Sequence, residues 1–160
     1  LRVLSDHPWL AGWLYFLLLN YGFAWRINAS YLYSDSLRKT MQINVFGAVG
    51  VWESLRFYLR EDALIVVIGS QLGVRGSPHG AHYAASKAAL ATWARSLAQD
   101  VGPEGQRVNI IAPGYIDTAI LAGDSPERTR QREAEVPLRR IGQPEDVAGV
   151  VSFLCSKDSA

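Results

Sequence analysis

Three short apolar runs along the chain have the length and composition of buried β-strands. They cover residues 15–20, 63–68 and 107–112, and the last is rich in β-branched side chains such as Val108, Ile110 and Ile111. Apolar runs of this length without strict alternation are typical of strands covered on both faces, as in a parallel sheet. We therefore predict three buried strands at these positions.

Longer amphipathic patterns between and after the strands predict helices. Residues 36–59 carry apolar side chains at helical spacing after Ser36, the expected N-cap, and residues 83–101 repeat apolar positions every four residues. A last helix is expected over Pro144–Leu154, because proline and acidic residues favour the first turn. Aromatic side chains on the first two helices are candidates either for the core or for contacts between subunits: Trp52, Phe57, Tyr58 and Trp93.

The alternation of strands and helices predicts an α/β fold, a partial Rossmann-like, doubly wound parallel sheet with flanking helices. In such sheets ligands bind beyond the carboxyl ends of the strands. Each predicted strand ends in polar or glycine-containing sequence, and the three ends are expected to face one crevice: Asn20 with Gly22, Gly69 with Ser70, and Pro113 with Gly114.

Composition narrows the class of protein. The 160 residues are 49% hydrophobic, enough for one domain over residues 1–160, and a net charge of +1 gives no reason to expect nucleic acid as a partner. The single cysteine, Cys155, excludes an intrachain disulfide and is compatible with a reducing compartment, so we expect a cytoplasmic protein. The three histidines lack metal-ligand spacing, and no metal site is expected.

Tyr83 and Lys87 form a Tyr-x-x-x-Lys element, and Ser70 stands thirteen residues before Tyr83. Positions i and i+4 share a helix face, so the Lys87 ammonium is expected to lie near the Tyr83 phenol and lower its pKa. A phenol tuned in this way suits proton transfer to or from an alcohol or carbonyl. Ser70 would supply a hydroxyl to the same substrate oxygen, although a solvated lysine beside a half-buried tyrosine is the simpler alternative.

The segments IVVIGS, YAASKAAL and RVNIIAPGYIDT, together with MQINVFGAVG, resemble the short-chain dehydrogenase/reductase family. The resemblance implies an NAD(P)-dependent oxidoreductase, using NAD or NADP on a small alcohol or ketone, and a homodimer or homotetramer. It implies that Tyr83 donates the proton, that Lys87 lowers the pKa of Tyr83 and binds the nicotinamide ribose, and that Ser70 orients the substrate. Asn44 matches the fourth catalytic position, with a locally bonded helix residue as the alternative.

The same resemblance implies further cofactor contacts. The loop after the last strand matches the segment that packs beside the nicotinamide, and LLLNYG is a degraded form of the family's Asn-Asn-Ala-Gly stretch. The implied cofactor-binding residues are Asn20, Gly22, Tyr83, Lys87, Pro113, Gly114, Ile116 and Thr118. Residues 124–135, dense in charge, match the substrate lid by position, while a solvated helical face is the default interpretation.

The family's glycine-rich turn for the pyrophosphate has no counterpart in the sequence, and residues 1–13 match poorly. A truncated domain is therefore expected, with unpaired strand edges that favour self-association or weak cofactor binding. A catalytically silent binding or dimerisation module is the alternative function. The apolar stretch over residues 9–25 adds a third, less favoured, membrane-associated form, because its unbroken part is shorter than the roughly 18 residues of a membrane span.

Overall fold

A computed structural model of the chain describes residues 33–159, and within them two parallel strands form the sheet. Strand β1 spans Leu64–Ile68 and β2 spans Arg107–Ile111, paired from Leu64 opposite Arg107 to Ile68 opposite Ile111. Both lie within one residue of their predicted bounds, and their parallel pairing confirms the predicted α/β class. The predicted strand over residues 15–20, with Asn20 and Gly22, and the apolar stretch over residues 9–25 lie outside the described residues.

The first helical region differs from the single helix predicted over residues 36–59. Helix α1 spans Tyr33–Met41, a π-helical turn spans Gln42–Phe46, α2 spans Gly47–Leu55, and a 3-10 turn follows over Arg56–Tyr58. The prediction of Ser36 as N-cap is wrong. Helix α1 already begins at Tyr33, and Ser36 is buried inside it, where its carbonyl accepts a hydrogen bond from the Thr40 hydroxyl at 2.6 Å.

The π turn has a packing reason. Side chains at four-residue steps in an α-helix drift by about 40° per step around the axis. The π turn inserts an extra residue, which turns the later positions back toward the earlier ones. One buried stripe thus continues across the turn, through Ser36, Thr40, Asn44 and Ala48, each at most 8% exposed.

Two helices follow the carboxyl end of β1. The short helix α3 spans Leu72–Arg75, and α4 spans Ala81–Val101, close to the predicted 83–101. Helix α4 packs against α1, the π turn and β2. The core lies between α2, α4 and β1, where Ala48, Ile65, Val67, Leu90 and Ala94 are all buried. Trp52 and Trp93 pack against this core, whereas Phe57 and Tyr58 are exposed.

The remaining helices end the described chain. Helix α5 spans Pro126–Glu135, capped by the Ser125 hydroxyl, which accepts the Arg128 N–H at 3.2 Å. Helix α6 spans Pro144–Leu154, as predicted, and Gln143 with Asp146 forms a capping box at its start. Within residues 33–159 no helix is both long and apolar enough to cross a bilayer.

Candidate active site

The chain segments that leave the two strands run side by side. Gly69 N–H donates to the Ile111 carbonyl at 2.7 Å, and Gln71 N–H donates to the Pro113 carbonyl at 2.9 Å. A Cβ at Gly69 would stand 3.2 Å from the Ile111 oxygen, so glycine suits this close approach. The predicted meeting of these two strand ends at one edge is therefore confirmed, and Ser70 lies between the two bonded residues.

Short contacts hold Ser70 relative to α4. Its hydroxyl oxygen accepts the Leu72 N–H at 3.1 Å, at the start of α3. Helix α3 in turn approaches α4 so closely that a Cβ at Gly73 would lie 2.9 Å from the Ala88 nitrogen and the Lys87 carbonyl carbon. Glycine at position 73 therefore lets α3 pack closely against α4, and this close packing sets the distance between Ser70 and the helix that carries Tyr83.

Tyr83 is half-buried in the first turn of α4. Burial raises the pKa of its phenol, while hydrogen bonding with the Ser70 side chain acts in the opposite direction and is the smaller effect. Ser70 and Tyr83 are thus brought together as the sequence predicts. The phenol remains protonated at neutral pH.

The pKa of Tyr83 is raised in this structure, contrary to the expectation from the sequence that a neighbouring Lys87 lowers it. The Lys87 ammonium donates to the Ile68 carbonyl at 2.9 Å and lies 5.8 Å from the centroid of the Tyr83 ring. Burial lowers the pKa of Lys87 itself to about 8. The helical spacing brings both side chains to one face, but the end of β1 supplies a nearer acceptor for the ammonium.

Asn44 lies in the π turn and is 5% exposed. Its side-chain nitrogen donates to the Ser86 hydroxyl oxygen at 3.0 Å, and that hydroxyl donates to the Tyr83 carbonyl at 2.8 Å. The alternative of a purely local backbone bond for the Asn44 amide is therefore wrong. Sequence reasoning missed Ser86, although a small polar residue between Tyr83 and Lys87 on a packed helix was a signal available for it.

The loop after β2 holds four of the predicted cofactor residues: Pro113, Gly114, Ile116 and Thr118. Ile116 forms a parallel bridge with Gly142, whose N–H donates to the Tyr115 carbonyl at 2.9 Å. The Thr118 hydroxyl makes a long 3.4 Å bond to the Ile116 carbonyl, and Gly114 is exposed. Backbone bonds thus give the loop its shape and leave an exposed glycine beside the carboxyl end of β2.

A cavity of about 370 Å³ opens beside this loop. Its lining includes Gln71 and Gly114, the neighbours of Ser70 and Pro113, but not Ser70 or Tyr83 themselves. Three half-exposed groups meet in its wall. Tyr115 donates to the Glu135 carboxylate at 2.8 Å, and Arg75 donates to both Tyr115 and Glu135 at 3.2 Å.

These contacts join the loop, α3 and the end of α5, the segment predicted as a solvated face or a lid. The Arg132 guanidinium also stacks on the Tyr115 ring at 4.8 Å and pairs with Asp124, both side chains being less than 20% exposed. The inner side of α5 therefore faces the cavity. Sequence reasoning did not identify Arg75, Tyr115 or Glu135, because their proximity arises only when one loop and two helices that are distant in the sequence converge.

Several hydrogen-bond donors near the ends of the two strands have the chemistry needed to bind a nicotinamide cofactor. The Lys87 ammonium has three N–H groups, of which one is directed to Ile68, and Gly114 leaves backbone exposed for close approach. With the Thr118 hydroxyl these suit the ribose and carboxamide end of a dinucleotide. In the part of the chain that the structure describes, no cluster of His, Cys, Asp or Glu could hold a metal ion.

Comparisons with known proteins identify the family of the chain. A family model described as Enoyl-(Acyl carrier protein) reductase matches residues 8–160. The chain is 40% identical over 138 residues to a cyclohexanol dehydrogenase of Rhodococcus sp. (strain TK6), covering 80% of this chain and 49% of that protein. The crystal structure of a short chain dehydrogenase family protein from Francisella tularensis superposes with a TM-score of 0.74 at 33% identity, covering 80% of this chain and 57% of that one.

The chain therefore belongs to the short-chain dehydrogenase/reductase family, and its fold is the Rossmann-like fold of those relatives. A 3-oxoacyl-(acyl-carrier protein) reductase from Brucella melitensis, crystallised with NAD, is 33% identical with a TM-score of 0.71, covering 80% of this chain and 48% of that one. A blue fluorescent protein from a metagenomic library, in complex with NADPH, is 35% identical with a TM-score of 0.74 at 80% and 52% coverage. The chain spans about half the length of the curated relatives it matches.

Proposed function

We propose that the protein is an NAD(P)-dependent oxidoreductase that interconverts a small ketone and its alcohol, with Tyr83 as the general acid or base. The observation that carries this proposal is the pairing of Ser70 with Tyr83. Ser70 follows β1 at the ligand-binding edge of the sheet, and its side chain lies close enough to the Tyr83 phenol of the neighbouring helix to lower the pKa of that phenol, against the larger rise that burial causes. Two hydroxyl groups directed to one place can bind one substrate oxygen.

The roles of the chain's own residues follow from their protonation states. Ser70 would hold the substrate oxygen, and Tyr83, protonated at neutral pH because burial raises its pKa, would donate a proton to that oxygen during carbonyl reduction. Alcohol oxidation reverses this transfer and requires the phenolate. A nicotinamide cofactor held at this site would supply or accept the hydride. Lys87, protonated below its pKa of about 8, would stabilise negative charge near the phenol.

NAD or NADP is the proposed cofactor. The family and the NAD and NADPH bound to two relatives support this choice. Lys87, Gly114 and Thr118 are the residues best placed to hold the ribose and carboxamide, with Pro113 and Ile116 shaping the loop. Asn20 and Gly22, outside the described residues, remain proposed contacts from the sequence.

A silent binding or dimerisation module is the second candidate. Phe57 and Tyr58, 77% and 71% exposed in the 3-10 turn after α2, favour contact with a second copy of the chain. This observation also supports a homodimer or homotetramer of an active enzyme. The exposed pair is thus compatible with both an active enzyme and a silent module. A measurement of turnover distinguishes these two candidates.

The test is an assay of the protein with NADH and NADPH on cyclic ketones and 3-oxoacyl thioesters, the chemistry named by its relatives. Tyr83→Phe should lower kcat by roughly 100-fold or more, because it removes the proton donor. Tyr58→Phe, at an exposed site after α2, is the matched control and should retain activity. Turnover that survives in Tyr83→Phe would reject the mechanism, whereas cofactor-independent dimerisation without turnover would favour the silent module.

A further inference from the structure

The Ser86 hydroxyl joins the π turn to the helix that carries Tyr83 and Lys87. Ser86 has no exposed surface, and its hydroxyl makes two hydrogen bonds: it donates to the Tyr83 carbonyl at 2.8 Å and accepts from the Asn44 side chain at 3.0 Å. A buried hydroxyl with a partner on each side resists reorientation, because breaking either bond leaves a polar group unsatisfied.

These bonds determine which way the Asn44 amide faces. A serine hydroxyl has one hydrogen, and here that hydrogen is donated to Tyr83 within α4. The hydroxyl can therefore only accept from Asn44, so the NH₂ group of the amide must point toward Ser86. The oxygen of the Asn44 side-chain amide consequently points away from Ser86. This is one of the two orientations that differ by a flip of the side-chain amide.

The π turn places Asn44 where this bond can form. Gly47 N–H donates to the Gln42 carbonyl, closing the widened turn around Asn44, and the buried stripe of α1 and α2 continues through it. The turn, the amide and the first turns of α4 form one connected unit. A shift of Asn44 would have to break the Ser86 bond in a buried site.

We propose that Ser86 is a positioning residue, which holds Asn44 in register with Tyr83 and Lys87. The inference rests on the proposed oxidoreductase function and on the fourth catalytic position that the family resemblance implies for Asn44. It assigns to Ser86 a role that acts through Asn44 rather than on substrate. Loss of the Ser86 hydroxyl should lower kcat more than it raises the KM for substrate or cofactor, because Ser70 and the loop after β2 are unchanged.

The test combines Ser86→Ala, Asn44→Ala and the double variant in steady-state assays of the protein. Loss of one buried hydrogen bond should lower kcat roughly three- to tenfold in Ser86→Ala, with KM changed less than about twofold. The two substitutions should be strongly non-additive, since each removes the same contact. Ser96→Ala is the matched control, since Ser96 lies on the same helix, makes a bond to the Thr92 carbonyl and is exposed.

A readout independent of turnover follows the Asn44 side-chain amide by nuclear magnetic resonance. Its NH₂ hydrogens should exchange with solvent faster in Ser86→Ala than in the wild type, and Ser96→Ala should leave them unchanged. Ser86→Cys keeps most of the volume with a weaker acceptor, so it serves if Ser86→Ala folds poorly, and an intermediate kcat is expected.

Wild-type kcat in both Ser86 variants, or additive effects with Asn44→Ala, would overturn the positioning role. The proposed function would survive that result as long as Tyr83→Phe still loses turnover. Conversely, full activity in Tyr83→Phe would remove the proposed function, while the amide exchange would still report whether Ser86 holds Asn44.

Discussion

The Lys87 ammonium donates to the Ile68 carbonyl at 2.9 Å, so a side chain of α4 is bonded to the last residue of β1. The bond satisfies a carbonyl at the sheet edge and holds a cation near Tyr83 without bonding the phenol. Because the site is largely buried, the charged form of Lys87 is disfavoured and its pKa falls to about 8. Several properties of the protein should depend on this lysine.

The stability of the fold should depend on pH through Lys87. The pKa of Lys87 is about 8 in the folded chain, against 10.5 for a free lysine side chain as in the unfolded chain. Between these two pH values the unfolded chain binds more protons than the folded chain, so the free energy of unfolding rises with pH. Relative to Lys87→Met, the wild type should gain roughly 3 kcal/mol in free energy of unfolding over this window. Urea denaturation of both proteins from pH 7.5 to 10.5 measures the difference. Parallel curves would show that burial does not depress the pKa of Lys87.

Carbonyl reduction should also lose activity as pH rises through about 8, because Lys87 loses its charge there. Tyr83 should keep its proton throughout this range, since burial raises its pKa above the usual 10.0. In Lys87→Arg, whose guanidinium stays charged, the decline in kcat/KM should move to higher pH. A decline that stays near pH 8 in this variant would assign it to another group. If the variant is inactive, the pH dependence of NADH binding is the substitute measurement.

Gly73→Ala should destabilise the protein by roughly 1–3 kcal/mol, because the added Cβ would lie 2.9 Å from the backbone of α4. The same change should displace Ser70 from Tyr83 and lower kcat. Gly50→Ala is the matched control: Gly50 lies in α2, where an added Cβ would have nothing within 4 Å, and the change should stabilise by about 0.5–1 kcal/mol. Thermal unfolding of both variants compares the signs. Equal shifts would contradict the close approach of α3 and α4.

Glu135→Gln should change which substrates the cavity accepts. The carboxylate of Glu135 pairs with Arg75, and its pKa is lowered mainly by the Tyr115 hydrogen bond and then by Arg75. Without that negative charge, the Arg75 guanidinium should attract anions, so KM should fall for a ketone bearing a carboxylate and stay constant for a neutral one. Glu127→Gln, which alters an exposed pair with Arg130, is the control. If Glu135→Gln leaves the KM for the carboxylate-bearing ketone at its wild-type value, the substrate binds elsewhere.

The bounds of several helices and strands could be predicted from the pattern of apolar and polar residues alone. Strand β1, strand β2 and helix α6 lie within one residue of their predicted bounds. Apolar runs and capping residues are local signals, so neighbouring residues suffice to predict them. The π turn within the predicted helix over residues 36–59 was not predicted, because a helical pattern does not record the partner against which it packs.

By itself, the sequence determined the class of fold, the two described strands and the grouping of Ser70, Tyr83 and Lys87 at one edge. Only the tertiary structure decided what each group touches: Lys87 bonds Ile68 rather than the Tyr83 phenol, Asn44 bonds Ser86, and Arg75, Tyr115 and Glu135 meet beside the cavity. The physical reason is one of range. Periodicity and local spacing act within a helix or strand, whereas burial and hydrogen-bond partners depend on residues far apart in the chain.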